Sequence, residues 1–467
     1  MPAQLTTRAQ VNGYRFLLQR YGHAMVRRDV RMLHDPMRIQ FRSLITGIVL
    51  AVLVTAGCAI LSFLRPQGQV GDAKIVLGAG SGALYAVVDG TLHPALNLAS
   101  ARLIAGSAET PTSVKDDKLS ALPRGPLLGI PGAPAALPGP AERDRSEWTL
   151  CEDISAGLRS TVLAGPARLD GQLRPAAPGE AVLVSNDGVT YLIYDGKHAR
   201  VDKGNEAIVS AIPQLRALRP RPIGAGLLNA SVAVPELAVP VIPRAGEPSA
   251  VRGADIPIGA VIRVQDVVGS TSYVVLAEGV QRISEFTARV LRTSNSMGLT
   301  VTPKLSPDAI KGIPVVDTLP VDQFPEDDLT VISADTDPVA CVSWARAEGD
   351  HAARLRVLLG SRLPLAAGVE PMAFVASAGA SAAYLPASTG EFVQATGIEP
   401  DSSRRDGLFY ITDTGVRFGI PDAATAAVLG LTQPKSAPWQ IISQLPAGPM
   451  LDRQSALIAR DIVAAGQ

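Results

Sequence analysis

The longest apolar stretch of the chain is residues 43–64, which contain no charged side chain. At about 1.5 Å of helical rise per residue, this stretch spans the ~30 Å hydrocarbon core of a bilayer. Thr55, Ala56 and Gly57 before Cys58 also resemble the end of a lipoprotein signal. The apolar region of a signal is shorter, however, at about 7–15 residues, and it follows a brief basic segment. Because 42 residues precede this stretch, the pattern predicts a retained transmembrane helix.

Charges on the two sides of this span predict its orientation. After the span, Arg65 is followed by a nearly neutral stretch with Asp72 and Lys74. Before the span, Asp29 and Asp35 are outnumbered by arginines at positions 8, 15, 20, 27, 28, 31, 38 and 42. Excess positive charge stays on the cytoplasmic side. We therefore expect a single-pass plasma-membrane protein with a cytoplasmic N-terminus and residues 65–467 in the periplasm.

The segment before the span has apolar residues at helical spacing. Val11, Tyr14, Leu18, Tyr21 and Met25 are separated by 3, 4, 3 and 4 residues and share one helix face. The arginines lie mostly off this face. Such a stripe suits either an anionic lipid surface, which favours arginine with aromatic residues, or a protein partner inside the cell. The spacing alone leaves both interpretations open.

Past the span, a short unit recurs four times: an aromatic-led strand, a glycine turn, a second strand and usually a short helix. The units are residues 84–104, 190–202, 272–291 and 408–431. Hairpin turns need positive φ, which glycine supplies. The predicted turns are Asp89-Gly90, Asp195-Gly196, Glu278-Gly279 and Thr414-Gly415. The candidate helix caps are Asn97, Ser284 and Asp422.

Two cysteines, Cys151 and Cys341, lie beyond the span, in a compartment that permits disulfides. Each lies near a tryptophan, Trp148 or Trp344. Two unpaired buried thiols are the alternative, but we favour a disulfide. Cys151 falls between the first two units and Cys341 between the last two. A bridge would therefore join two halves through a composite centre.

These patterns predict an α+β fold: one transmembrane helix, then an elongated periplasmic region of four small α+β repeats around a β-containing central domain. Proline-rich segments such as 122–140 and 235–249 separate the units, since proline continues neither strand nor helix. The predicted divisions are a cytoplasmic segment (1–42), the span (43–64), repeat 1 (68–112), a first central-domain segment (113–178), repeat 2 (179–225), a linker (226–250), repeat 3 (251–302), a second central-domain segment (303–365), repeat 4 (366–432) and a C-terminal segment (433–467).

Composition and motifs reveal no active site. The net charge is zero, so the chain offers no broad basic face for nucleic acid. The stretch "GAGSGA" (78–83) fits G-x-G-x-x-A, but a dinucleotide site needs a helix next, and a strand and a turn follow instead. No P-loop or G-x-S-x-G motif occurs, and the histidines beyond the span, His93, His198 and His351, lack metal-ligand spacing. We predict no catalytic, cofactor-binding or metal site.

Four stretches together resemble the EccB family, the single-pass core component of mycobacterial type VII (ESX) secretion systems. They are "TTRAQVNGYRFLLQR", "HPALNLASARLI", "RGPLLGIPGAP" and "DTGVRFGIPDAATAAVLGL". The resemblance implies four periplasmic repeats around a central domain and a disulfide at the positions of Cys151 and Cys341. It also implies a cytosolic N-terminus packed against EccC, EccD and EccE in a large oligomer, which favours protein contact for the stripe from Val11 to Met25. Further implied partners are other EccB copies and the MycP protease.

Three functions follow as hypotheses. The first is a structural subunit that assembles with these components, oligomerises on the periplasmic side and forms or stabilises the secretion channel, touching membrane lipid but not nucleic acid. The second follows from the ATPase label carried by EccB proteins: an ATP-hydrolysing component whose site has no recognised motif. The third is a cell-wall-binding periplasmic module built on the repeats.

Overall fold

The computed structural model describes residues 6–31, 36–64, 70–141, 144–251, 255–267, 269–375 and 378–460. These residues form two compact units, Met1–Gly71 and Asp72–Gln467. Asp35, Arg65 and the last seven residues of the predicted C-terminal segment lie outside the described residues. The first unit contains helices α1 (Arg8–Arg27) and α2 (Pro36–Leu64).

Helix α2 confirms the helix predicted over residues 43–64. Its segment Gln40–Leu61 has a mean hydropathy of 2.6 and is long and apolar enough to cross a membrane. The hydroxyls of Thr46 and Thr55 donate to carbonyls one turn earlier, each at 2.8 Å. Internal hydrogen bonds of this kind suit an apolar surrounding, where no water satisfies a side-chain donor.

The second unit is rich in short strands. It begins with β1 (Ile75–Gly78), β2 (Leu84–Val88), β3 (Thr91–Pro94), α3 (Leu98–Ala105), β4 (Thr112–Val114), α4 (Asp116–Leu119), β5 (Arg145–Asp153), β6 (Arg159–Ala164) and β7 (Leu173–Pro175). Next come β8 (Glu180–Asn186), β9 (Val189–Tyr194), β10 (Lys197–Val201), α5 (Glu206–Ala211), a 3₁₀ turn (Pro213–Arg216), β11 (Arg221–Pro222), α6 (Ala225–Asn229) and β12 (Val232–Leu237).

The second half of this unit contains a further set of short strands and helices. They are β13 (Val261–Gln265), β14 (Ser270–Val275), β15 (Val280–Ile283), α7 (Glu285–Ser294), β16 (Lys304–Leu305), a 3₁₀ turn (Pro307–Ile310), β17 (Thr330–Ile332), β18 (Val339–Ala347), β19 (Arg354–Gly360), β20 (Met372–Ala373) and β21 (Ala382–Tyr384). The chain ends with β22 (Gly390–Thr396), β23 (Leu408–Thr412), β24 (Arg417–Ile420), α8 (Ala423–Val428), β25 (Lys435–Pro438), α9 (Trp439–Ile442) and α10 (Arg453–Ala456).

Four sheets share one topology. Three strands form an antiparallel meander, a helix follows, and a return strand pairs parallel to the first strand of the meander. The meanders are β1–β2–β3, β8–β9–β10, β13–β14–β15 and β22–β23–β24, and the return strands are β4, β11, β16 and β25. The helix-capping predictions are confirmed, because Asn97, Ser284 and Asp422 each accept the backbone N–H of the residue three positions later. The predicted α+β class is confirmed as well.

All four predicted hairpins are present, but their glycines act for two reasons. Gly90, Gly196 and Gly415 have positive φ, as hairpin turns require. Gly279 does not. A Cβ on Gly279 would lie 2.1 Å from the carbonyl oxygen of Pro314, so this turn needs glycine for a close backbone approach.

Proline-rich segments cover the open edge of each meander. In the second sheet this segment is β12, which runs parallel to β10. In the others, the segments near residues 123–128, 314–316 and 446–448 exchange backbone hydrogen bonds with β3, β15 and β24. Because proline lacks an N–H, such a segment pairs on one side and does not extend the sheet further.

The fifth sheet is the centre of the unit, with strand order β20-β21-β6-β5-β18-β19-β7. Its strands come from two regions of the chain that are far apart in sequence. The second and fourth repeats each have two apolar faces. Val182 and Val393 pack on the central sheet, whereas Leu183 packs on the third repeat and Phe392 on the first.

The predicted domain boundaries differ from these sheets. Strand β4 begins at the last residue of predicted repeat 1 and extends past it, strands β16 and β25 lie beyond the predicted ends of repeats 3 and 4, and β12 lies in the predicted linker. Strands β20 and β21 belong to the central sheet, although they fall within residues 366–432, the range that the sequence predicts for repeat 4. The return strands are only 2–4 residues long and pair with distant partners, so no alternating pattern marks them in the sequence.

Candidate interaction surfaces and an occupied glycine-rich loop

Helix α1 begins with a capping box. The side-chain oxygen of Gln10 accepts the backbone N–H of Thr7 at 2.9 Å, and Thr7 Oγ1 accepts the N–H of Gln10 at 3.4 Å. The helix ends at Arg27, and the following residue, Arg28, caps it in a left-handed conformation with φ of 53°. These exchanges satisfy otherwise free donors at the start of the helix, so that end is defined by local sequence alone.

The apolar stripe predicted on α1 lies on the helix surface, and no residue of the helix is buried. Tyr14 is 65% exposed and Met25 is 83% exposed. Val11, Leu18 and Tyr21 are exposed too. Contiguous apolar side chains on a surface mark a contact site. The structure therefore places all five residues on one helix, whereas their role in partner binding stays a prediction.

Sequence reasoning missed three exposed large apolar residues of α1, namely Phe16, Leu17 and Val26. Leu17 lies three residues after Tyr14 and four before Tyr21, so it widens the stripe. Its spacing was a signal that could have found it. Phe16 lies five residues from both Val11 and Tyr21, which places it on the opposite side of the helix.

The glycine-rich loop between β1 and β2 holds one of the chain's own carboxylates. Asp116 accepts the backbone N–H groups of Gly80 and Ser81 at 2.9 and 3.1 Å and the Ser81 hydroxyl at 2.8 Å. These hydrogen bonds, led by that of the Ser81 hydroxyl, hold the pKa of the Asp116 carboxyl below its usual range. A Cβ on Gly80 would lie 2.6 Å from Asp116 Oδ2, which explains the glycine.

This arrangement explains why the loop resembles a dinucleotide motif. In a dinucleotide site, the loop amides and the following helix would face a pyrophosphate. Here the loop leads into strand β2, and Asp116 occupies its donors. Among the residues that the structure describes, no three His, Cys, Asp or Glu side chains are grouped to hold a metal ion. His93 and His198 instead face Pro126 O and Ser231 Oγ at 3.3 and 2.8 Å.

Cys151 and Cys341 form a disulfide, which confirms that prediction. They are directly opposite each other on the antiparallel strands β5 and β18, and the same register places Trp148 opposite Trp344. Cysteine and tryptophan are three residues apart on both strands, in opposite order, so one register aligns both pairs. The disulfide faces one side of the central sheet and the tryptophans face the other.

Two buried ionisable side chains connect the central sheet to the second repeat. Glu152 on β5 is 2% exposed and accepts hydrogen bonds from the Gly224 N–H at 3.0 Å and the Ser160 hydroxyl at 3.2 Å. Arg221 on β11 is 3% exposed and donates to the Asp337 carbonyl. Burial raises the pKa of the Glu152 carboxyl to about 7 and lowers that of the Arg221 guanidinium to about 10. No sequence pattern indicated this pair.

Comparison with known proteins identifies the family of the chain. The family model described as "Type VII secretion system ESX-1, transport TM domain B" matches residues 3–465. The chain is 40% identical to the "ESX-3 secretion system ATPase EccB3" of Mycolicibacterium smegmatis, over 98% of this chain and 91% of the relative. It is 37% identical to the "ESX-1 secretion system ATPase EccB1" of Mycobacterium tuberculosis, over 100% and 97%.

Solved structures match over similar lengths. A chain in the structure of an intact ESX-5 inner membrane complex has a TM-score of 0.73 and 33% identity, covering 100% of this chain and 98% of that one. The structure of the EccB3 dimer from the ESX-3 core complex has a TM-score of 0.72 and 38% identity, covering 83% of this chain and 100% of that one. At these identities the likeness extends beyond the fold.

Proposed function

Since this chain belongs to the EccB family of type VII secretion systems, we propose that it is a structural, membrane-anchored subunit of an ESX secretion machine. In this role it holds other components together at the plasma membrane. On the periplasmic side, copies of the chain assemble to form or stabilise the secretion channel.

Helix α2 is the anchor in this proposal, with residues 1–42 in the cytoplasm and the sheet-rich unit in the periplasm. Two observations support that orientation. Arginines are concentrated before the span. The disulfide between Cys151 and Cys341 requires an oxidising compartment, whereas the cytoplasm keeps thiols reduced.

The exposed stripe on α1 carries the proposal, because an apolar helix face of this size needs a surface to bury it. The arginines lie mostly off this face, so the stripe can be covered by a protein without burying their charges. We propose EccC, EccD and EccE as the components that α1 contacts.

Periplasmic partners complete the proposal. A related EccB3 forms a dimer, and a related chain lies in an intact ESX-5 inner membrane complex. We extend this association to the present chain, with other copies of itself and the MycP protease as its partners.

We further propose that the chain works without a nucleotide, although the names of its relatives include the word ATPase. Asp116 already binds the donors of the only G-x-G-x-x-A stretch we found. Titration with fluorescent ATP and an unlabelled competitor tests this proposal. Saturable, competable binding at micromolar ATP would contradict it.

The stripe is tested with a double substitution, Tyr14→Ala with Leu18→Ala. If both side chains are buried against a partner, their truncation costs roughly 2–4 kcal/mol of binding free energy. We expect the protein to stay in the membrane, because α2 is unchanged, and the multi-protein complex to be lost on native gels of solubilised membranes.

Asn12→Ala with Gln19→Ala is the matched control, since both residues lie on α1 away from the stripe. Lipid binding makes the opposite demand, because it depends on charge at about 1 kcal/mol per basic residue rather than on particular aromatic side chains. An intact complex in the Tyr14/Leu18 variant would contradict partner binding and favour the interpretation that the stripe binds lipid.

A further inference from the structure

Two arginines on the disulfide face of the central sheet point to a site that the secretion role does not use. Arg354 and Arg356 are alternate residues of β19, and both are exposed. Within the described region of the chain, neither guanidinium makes a hydrogen bond or an ion pair. Strand β7 pairs with β19 from Leu358 onwards, and the Ala176 N–H donates to the Val357 carbonyl at 2.9 Å, so this pairing stops one residue before Arg356.

On this face of the sheet, side chains at matching register positions form rows across the strands, and a buried apolar row is followed by a polar one. The first row holds Cys151, Cys341 and Leu358, and it is buried. Two residues further along each strand, the next row consists of Thr149, Ser343 and Arg356. The arginines therefore lie where the apolar portion of this face ends.

The hydroxyl of Ser343 lines the same concavity as the two arginines. Thr149 Oγ1 donates to Ser343 Oγ at 3.0 Å, so the hydroxyl oxygen is already an acceptor and its own proton is free. Ser343 lies directly opposite Arg356 in the strand register. A hydroxyl and a guanidinium thus converge from adjacent strands.

These residues line a concavity of about 150 Å³ that contains four arginines and two carboxylates. The carboxylates are already engaged: Glu147 pairs with Arg145 at 3.2 Å, and Asp350 accepts the Ala347 N–H at 3.0 Å. Arg346 donates to backbone carbonyls, which do not neutralise its charge. The concavity is therefore locally positive in a chain whose net charge is zero.

Unneutralised like charges at this spacing repel one another. Alternate residues of a strand are about 6.5–7 Å apart, and an anion placed between them converts that repulsion into attraction. Guanidinium groups bind oxyanions through paired N–H donors. Two guanidiniums and a hydroxyl from the neighbouring strand surround a tetrahedral anion better than a planar carboxylate, which has only two oxygens.

We propose that Arg354, Arg356 and Ser343 form a phosphate-binding site on the disulfide face of the central sheet. Its ligand is a phosphate group, either as the free ion or as an ester in a lipid headgroup. The site is separate from the stripe on α1 and does not depend on the proposed secretion role.

The test is a calorimetric titration of the full chain in a maltoside detergent, which contains no phosphate, at constant ionic strength and with chloride as the reference anion. One arm uses inorganic phosphate, and the other uses glycerophosphoglycerol, a phosphodiester headgroup without lipid chains. Saturable binding is expected in at least one arm, and the tighter ligand identifies the source. No binding above that of chloride in both arms would overturn the proposal.

The variant Arg354→Gln with Arg356→Gln should weaken binding by about tenfold or more, since it removes two charge-assisted contacts. Arg354→Lys with Arg356→Lys retains the charge but loses the paired donors, and Ser343→Ala removes one contact, so both should show smaller losses. Arg200→Gln with Arg282→Gln is the matched control, because both are exposed strand arginines away from the concavity. Equal weakening in that control, or unchanged binding in the first variant, would overturn the site.

Discussion

Helix α1 and the strand pair β5–β18 contain large apolar and aromatic side chains in opposite situations. On α1 the stripe is exposed, with Tyr14 at 65%. On the strand pair, Trp148 and Trp344 are each 1% exposed and lie in the largest apolar cluster of the unit. The strand pair is buried by other strands of its own unit, whereas no residue of α1 is buried. Apolar residues thus stabilise the fold in the second unit, whereas in the first we propose that they specify association.

The largest effect should come from the tryptophans. Trp344→Ala removes a fully buried ring, and we expect it to lower the free energy of unfolding by roughly 3–5 kcal/mol. Trp439→Ala is the matched control: it is 38% exposed and stacks on Phe409, so about 1 kcal/mol is expected. Urea titration of the full chain in detergent, followed by far-UV circular dichroism, measures both. Equal losses would mean that the buried pair is not central to stability.

Removing the disulfide should have the second-largest effect on the free energy of unfolding. The bridge spans a sequence separation of 190, for which the chain-entropy account gives roughly 5 kcal/mol as an upper figure. We expect Cys151→Ala with Cys341→Ala to lower the urea midpoint by an amount equivalent to roughly 2–5 kcal/mol. Cys58→Ala, an unpaired and exposed cysteine on α2, should leave the midpoint unchanged. A midpoint insensitive to the double change would show that β5 and β18 hold together without the bridge.

Glu152 should make the second unit sensitive to pH. Its folded-state pKa of about 7 lies above the ordinary 4.5, so the folded protein holds this proton more tightly than the unfolded chain. Stability from this carboxyl is therefore fully present below about pH 4.5 and lost as pH rises through 7, at most roughly 3 kcal/mol. Glu152→Gln should flatten the curve of unfolding free energy between pH 5 and pH 7.5. Parallel curves for the two proteins would rule out this role.

The stripe should have the smallest effect on folding. Tyr14→Ala with Leu18→Ala alters exposed side chains, so we expect less than about 0.5 kcal/mol in the same urea titration. The loss should appear only in complex formation. Substantial destabilisation of the purified chain would mean that the stripe packs within the protein, which would end the contrast between the two regions.

The repeats show how far local pattern predicts structure. Each meander contains a predicted hairpin, and each predicted cap begins a helix, because turns and caps depend on residues within four positions of one another. Gly279 is the exception in mechanism. Its sequence resembles the other turns, but the carbonyl of Pro314, which is distant in sequence, is what requires a glycine there.

The proline-rich segments show where local pattern fails. Proline predicts no regular strand at these positions, yet strand β12 contains Pro235 and pairs with β10, and the other segments lie along the edges of β3, β15 and β24. Edge pairing uses only one side of the backbone, so proline does not prevent it. The spacing of Trp148 and Cys151 against Cys341 and Trp344 was a usable signal for the central register, since reversed order at equal spacing fits antiparallel strands.

The sequence alone determined the span, the stripe on α1, the four hairpins, the helix caps and the cysteine pair, because each depends on periodicity, on neighbouring residues or on a choice between very few partners. Only the tertiary structure decided which repeats pack together, that Asp116 fills the glycine-rich loop, and that Glu152 and Arg221 are buried near each other. It also brought Ser343 beside Arg356. These contacts join residues distant along the chain, and their energies depend on burial and register, which no local pattern contains.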